Sequence, residues 1–176
     1  MSSEFQRLDS RVVFDGKIFK VHVDRVKFPN GNTVNLEVVR HPRSVVLIPM
    51  PDPQHVILVK QYRYPVDQWL WELPAGSLDP GEEPAAAASR ECHEEIGKVP
   101  RGTVLVGSFL PTPGYCDEEM LVFRLDGLDE PTGEAEMDED EIIEPRVFTV
   151  AEAAAMVKRG EILDMKTVVG LALLGD

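Results

Sequence analysis

The chain has 176 residues, 43% of them hydrophobic, with 18 basic against 31 acidic side chains and a formal net charge of −13. That length supports one domain of ordinary size plus a short extension, with a core that needs no disulfide or metal staple. The acidic balance excludes a nucleic-acid backbone as the main partner, and two cysteines without paired spacing, Cys92 and Cys116, exclude a disulfide or zinc framework.

The opening stretch, MSSEFQRLDSRVVF, lacks an apolar core of signal-peptide length, and no segment approaches roughly 18 consecutive apolar residues. A soluble, cytoplasmic protein with no membrane partner is expected. From Val12 to His41 the pattern predicts a β meander, with Ile18, Val21 and Val23 in one run, a turn at Pro29 to Asn32, and a return over Val34 to Val39. Val45 to Ile48 and His55 to Val59 are short apolar strands flanking the PDPQ turn, and Gln61 to Tyr64 continue the second. Trp69 to Leu73 form a strand leading into Pro74, Ala75 and Gly76, while Thr103 to Leu110 and Met120 to Leu125 are strands split by PTPGYCDE. Between Asp129 and Glu144 lie nine acidic residues and no basic one, an acidic loop able to bring carboxylates over a cleft or simply to be solvated. Thr149 caps a helix closed by Gly160, and Thr167 to Leu174 read as an apolar C-terminal helix. Strands surrounding two or three helices indicate an α+β chain or an α/β/α sandwich with a mixed sheet.

The run from Gly76 to Gly97, GSLDPGEEPAAAASRECHEEIG, carries the chemistry. Pro84 to Ile96 are strong helix formers, with proline tolerated in the first turn and Gly97 where helices commonly stop. Glu91, Glu94 and Glu95 therefore project from one side of one helix. Like charges at that spacing destabilise an isolated helix by about 0.2–0.5 kcal/mol per pair, so a compensating group is required. Magnesium, a hard ion that takes carboxylate, water and phosphate oxygens, meets that requirement. Three glutamates alone would read as a solvated face. Gly76, Pro80, Gly81 and Arg90 turn the reading toward a cation only through the family pattern that they resemble.

Counted along the run, the pattern is glycine, five residues, Glu82, seven residues, Arg90-Glu91, two residues, Glu94-Glu95, one residue, Gly97. This spacing resembles the Nudix box of hydrolases that cut a nucleoside diphosphate linked to another moiety, and it covers about an eighth of the chain. Cys92 and Lys98 depart mildly, standing where that family usually has aliphatic residues. QYRYP at Gln61 to Pro65, WELPAG at Trp71 to Gly76, Pro113 sixteen residues past Gly97 and DEDEII at Asp138 to Ile143 resemble the ADP-ribose pyrophosphatase branch.

The resemblance implies a Nudix α/β/α sandwich over residues 43–176 and a small N-terminal antiparallel β-sheet over residues 1–42 that mediates a homodimer. It implies a Mg²⁺-dependent pyrophosphohydrolase converting ADP-ribose to AMP and ribose 5-phosphate, with two or three ions per site and Mn²⁺ as a substitute. Glu91 and Glu95 would be the principal metal ligands, with Glu94 in the cluster and the Ala75 carbonyl completing the shell. Arg90 would pair with a box glutamate such as Glu82, a structural role shared with Gly76 and Gly97. Glu139, with Glu141 next, would activate or position water; Glu118 would contact the terminal ribose and Arg63 the diphosphate.

Several residues keep two readings. Arg63 ends an apolar strand and could be a surface salt bridge; Phe19 and Phe28 could stack on adenine or serve the core; Arg40 and Arg43 could each reach a ligand. Trp69 and Trp71 alternate on a strand, and His93 reads as a helix residue. The competing functions are a GDP-mannose or other nucleotide-sugar hydrolase and a non-catalytic nucleotide-binding sensor, against which the retained Glu91, Glu94 and Glu95 argue.

Overall fold

The structure, a computed structural model, describes residues 4–133 and 142–175. The chain forms two compact units, Met1–Arg43 with Leu110–Glu119, and Ser44–Phe109 with Met120–Asp176.

The first unit is an antiparallel meander of β1 (Gln6–Asp15), β2 (Lys20–Lys27) and β3 (Thr33–Arg40), in that order across the sheet. The β2–β3 turn closes through Phe28 N donating to Asn32 O at 2.8 Å, with Gly31 at φ 85°, a left-handed conformation that glycine adopts without steric cost. β1 begins well before the apolar signal at Val12, because Gln6, Arg7, Asp9, Ser10 and Arg11 pair with β2 although they are polar. Leu110–Glu119 joins this unit along β3: Val39 N donates to Tyr115 O at 2.7 Å and Asp117 N to Val39 O at 3.1 Å. Asp24, only 3% exposed, accepts from Ser10 Oγ and Arg40 Nη2, and Arg40 Nη1 also donates to Asp117 Oδ2 at 2.9 Å.

The second unit comprises β4 (Ser44–Met50), β5 (His55–Arg63), β6 (Gln68–Glu72), β7 (Ala75–Ser77), α1 (Pro84–Ile96), β8 (Val99–Phe109), β9 (Met120–Asp129), β10 (Ile143–Thr149), α2 (Val150–Arg159) and α3 (Met165–Ala172). One sheet runs β7-β4-β9-β8, with β4 parallel to β9 and the other pairs antiparallel; the other runs β10-β5-β6, antiparallel throughout. Successive strand residues face opposite sides, and β4 shows the result. Val45 and Leu47 pack with Ala87, Ala88, Cys92 and Ile96 of α1, while Val46 and Ile48 pack with Ala153 and Met156 of α2 and Leu171 of α3. Both faces of β4 are covered, so it reads as a continuous apolar run and the unit is an α/β/α sandwich with a mixed sheet.

β4 and β5, adjacent in sequence, lie in different sheets. The edge of β5 is instead taken by β10, a strand within residues that read as the end of an acidic loop leading directly to a helix. Pro145 is tolerated there because β10 is an edge strand. Among the described residues no helix is long and apolar enough to cross a membrane.

Candidate active site

The site is built on the turn before α1. Pro80 and Gly81 occupy the centre of a tight turn closed by Glu82 N donating to Asp79 O at 3.0 Å, and Gly81 has φ 84°. This is the proline-then-glycine arrangement of a type II turn. Pro84 then opens α1, and Gly97 at φ 69° ends it, donating to His93 O at 2.9 Å. Ala87, Ala88, Cys92 and Ile96 bury one face of the helix, which draws Glu91 and Glu95 down to 9% and 7% exposure. Gly76 lies under Glu91: a Cβ there would fall 1.9 Å from Glu91 Oε1. Only glycine leaves room for that carboxylate.

Arg90 gathers the carboxylates. Its Nε and Nη2 donate to Glu82 at 3.0 and 3.1 Å, its Nη1 to Glu91 Oε1 at 2.8 Å and Glu94 Oε2 at 2.7 Å, and Nη2 also reaches Ser77 O at 3.2 Å. One guanidinium thus ties the turn, β7 and α1 together. The Arg90 hydrogen bond, against some burial, holds Glu82 below the usual carboxylate range, and Arg90 itself is held firmly protonated by Glu82, Glu91 and Glu94. Glu95 Oε1 accepts from Ala75 N at 3.2 Å. Burial, with Glu95 nearby, pushes the Cys92 thiol up to about 12, so it packs as a small hydrophobe. His93 Nε2 lies 3.2 Å from Gly133 O and touches none of these carboxylates.

Beside this cluster stands a second one, of which the sequence reading singles out only Arg63. Arg63 makes a two-pronged contact to Glu72, Nε to Oε1 at 2.9 Å and Nη2 to Oε2 at 2.7 Å. Lys166 also donates to Glu72 Oε2 and sits 3.1 Å from Asp164 Oδ2. Thr167 N and Oγ1 donate to Asp164, at 3.0 and 2.5 Å, and Thr167 Oγ1 accepts from Leu73 N at 2.7 Å. Burial pushes the Glu72 carboxyl upward, but Arg63 and Lys166 outweigh it and hold Glu72 below the usual range. Arg63 is raised chiefly by Glu72, with Asp164 and Glu95 adding their charge. The signal available in sequence was slight: a lone lysine opening an apolar helix, and the one charged residue in WELPAG.

The structure therefore groups Ala75, Gly76, Glu82, Arg90, Glu91, Glu94 and Glu95, with Arg63 within electrostatic reach of Glu95. The other sequence candidates belong to the first unit. Glu118 Oε1 lies 3.7 Å from His41 Nδ1, Arg43 Nε lies 3.1 Å from Glu119 Oε2, and the Phe28 ring meets Phe5 edge-on at 5.1 Å between centroids. Glu139 and Glu141 lie outside the described residues. A cavity of about 580 Å³ lined by Met50, Asp52, Arg124, Asp126 and Leu173 sits toward the C-terminal ends of β4 and β9, whereas β7 pairs with the start of β4; no box residue lines it.

The all-oxygen donor set of Glu91, Glu94, Glu95 and the Ala75 carbonyl suits a hard divalent cation, and the bare Gly76 makes the room that the Glu91 carboxylate occupies. Among the described residues no three such groups already converge as ligands; here Arg90 and the Ala75 amide hold them. A mixed-sheet sandwich presenting this carboxylate helix defines a hydrolase scaffold of one kind. The sequence matches the NUDIX domain over residues 40–166 and the nucleoside diphosphate sugar hydrolase N-terminal domain over residues 5–39, and the chain belongs to the Nudix family. Nudix hydrolases generally use a divalent cation such as Mg²⁺.

Among its relatives is a methanol dehydrogenase activator from Bacillus methanolicus, 35% identical over 97% of this chain and 92% of that protein. An ADP-ribose pyrophosphatase from Bacillus subtilis (strain 168) is 34% identical over 98% of this chain and 94% of its own length. A crystal structure of an ADP compounds hydrolase shares the fold, with a TM-score of 0.84 at 23% identity over 97% of this chain and 91% of that one.

Proposed function

We propose that this protein hydrolyses ADP-ribose to AMP and ribose 5-phosphate. The observation that carries the reading is the intact carboxylate helix of the box within a chain that aligns, over nearly its whole length, with a relative named ADP-ribose pyrophosphatase. Water adds across the diphosphate: its oxygen bonds to one phosphorus, the bridging oxygen leaves on the other phosphate, and the water proton passes to a carboxylate. Glu91 and Glu95, with Glu94 and the Ala75 carbonyl, would hold magnesium, for which manganese substitutes, at two or three ions per site. When bound, the metal supplies positive charge for the phosphate oxygens and lowers the pKa of water. Arg90 fixes the carboxylates to the turn, and Arg63 contacts the diphosphate. Glu139, with Glu141 as the next candidate in the run, accepts the water proton; a carboxylate with an ordinary pKa of about 4 is ionised at neutral pH and ready to do so. Glu118 contacts the terminal ribose, with Arg43 and Phe28 as further ligand contacts.

The test is chromatographic detection of AMP from ADP-ribose with purified protein and Mg²⁺. Equal amounts of AMP and ribose 5-phosphate are expected. No AMP, beside rapid cleavage of GDP-mannose or UDP-glucose, would reassign the substrate within the nucleotide-sugar class named by the N-terminal domain match. Glu139→Gln should lower kcat more than it weakens ligand binding; a pure loss of affinity would remove Glu139 from the water-activating role.

A homodimer through the N-terminal sheet belongs to the same proposal. Leu8, Val12, Phe14, Ile18, Phe19 and Leu36 are all exposed there, more apolar surface than a meander of this size leaves open without cause. Sedimentation at twice the 19.6 kDa chain mass is expected, and sedimentation at the chain mass would refute it. A cytoplasmic setting completes the proposal, in keeping with Cys92 and Cys116, both free thiols.

A further inference from the structure

Glu72 is 2% exposed, and both its oxygens are occupied: Oε1 by Arg63 Nε, Oε2 by Arg63 Nη2 and Lys166 Nζ. A carboxylate so buried needs partners, yet one arginine would have satisfied it. The second cation alters what the first can do. Lys166, itself paired with Asp164, holds Glu72 from a second side, so the carboxylate is fixed in place and the Arg63 fork with it. The two-pronged contact engages two of the five guanidinium N–H groups and leaves the Nη1 edge on the side opposite Glu72. Arg63 is also the half-exposed member of the cluster, its side chain 40% accessible while those of Glu72 and Lys166 are 2% and 7%.

The C-terminal helix braces this arrangement. Asp164 caps α3 through Thr167 N and holds Lys166, and Thr167 Oγ1 receives Leu73 N, fixing the residue after Glu72. Gly170 lets α3 lie directly on that residue, since a Cβ there would fall 2.3 Å from Leu73 Cδ1. Two residues further on, Ala75 N binds Glu95. α3 thus supports both the arginine and the strand that carries the box.

We infer that Glu72, seated by Lys166, is a positioning residue that presents the free edge of Arg63 to the substrate diphosphate; this rests on the reading of Arg63 as the diphosphate contact. An arginine already held by a fork gives up little rotamer freedom on binding a phosphate, and its planar donors arrive in a fixed orientation.

Steady-state hydrolysis of ADP-ribose by the full chain at saturating Mg²⁺ tests this with Arg63→Ala, Glu72→Gln and the double variant. Arg63→Ala should raise KM by about tenfold or more, and Glu72→Gln should raise it by about fivefold with a smaller change in kcat. In the Arg63→Ala background, Glu72→Gln should add less than about twofold, because its effect runs through Arg63. A merely structural Glu72 would do equal harm in both backgrounds. Should Glu72→Gln fail to fold, Arg63→Lys keeps the charge and loses the fork; it should match Arg63→Ala in KM, and wild-type kinetics there would overturn the inference. If Arg63→Ala impairs KM while Glu72→Gln does not, the positioning role alone falls. If Arg63→Ala leaves KM unchanged, the diphosphate contact falls and the inference with it.

Discussion

At the scale of single residues the box is a steric and electrostatic fit. Gly76→Ala would place a methyl group on the Glu91 carboxylate, so the carboxylate or the strand must move. We expect Gly76→Ala to lose at least about 1–3 kcal/mol of stability, read by urea denaturation, together with most turnover. Wild-type values for both would show that Glu91 has room to spare. Glu95→Gln should behave differently, since the amide oxygen can still accept from Ala75 N and preserve the local fold. Its turnover should fall by about a hundredfold or more with unchanged thermal stability, because a neutral amide is a poor ligand for a hard cation. Unchanged turnover would defeat the metal assignment. The spacing in the sequence displayed Gly76, Glu82, Arg90 and the three helix glutamates together, because they are local to one turn and one helix. Glu72 and Lys166 stayed hidden because their pairing spans 94 positions, and nothing local in either segment encodes it.

Elements with strong end signals were legible. α1 spans Pro84 to Ile96 because proline opens it and a left-handed glycine closes it, and α2 starts where Thr149 caps it. Thr149 Oγ1 accepts from Glu152 N at 3.0 Å, so Thr149→Ala should cost about 1 kcal/mol, measured as a shift in the urea midpoint at constant slope. No shift would mean that water replaces the cap without loss. Strands whose pairing is not local were harder. β10, IEPRVFT, has a proline and three charged or polar positions, and it becomes a strand because β5 offers it an edge. The first half of β1 is likewise a strand by virtue of its partner, and the two-sheet split between β4 and β5 depends on contacts made much later in the chain.

For the whole molecule, acid is the informative perturbant. The Ser10 hydroxyl, assisted by Arg40 and opposed by burial, holds Asp24 below its ordinary 3.8. Glu82 is lowered chiefly by Arg90, and Glu72 and Asp117 are lowered by their partners in spite of burial. In each case the unfolded chain binds protons more readily than the folded one. Their stabilisation is therefore complete above the ordinary carboxylate range and is lost as pH falls through the depressed folded values. Stability should decline from about pH 4 downward, and Asp24→Asn should flatten that decline while lowering stability at neutral pH; an unchanged acid limb would show that Asp24 gains nothing from its partners. Helix and strand patterns leave an α+β chain and an α/β/α sandwich both open, and the family resemblance points to the sandwich. An N-terminal sheet apart from the rest is expected too, but not that Leu110–Glu119 belongs with it, since that segment looks like any loop until Val39 and Arg40 are seen to bind it. That last feature limits how the protein can be cut and recombined. A fragment ending at Arg43 would leave behind Tyr115 and Asp117, stripping β3 of its added edge and Arg40 of one carboxylate. The N-terminal sheet is thus no detachable module: grafting it onto another catalytic body, or replacing it with a foreign sheet, requires that both pieces of chain travel together.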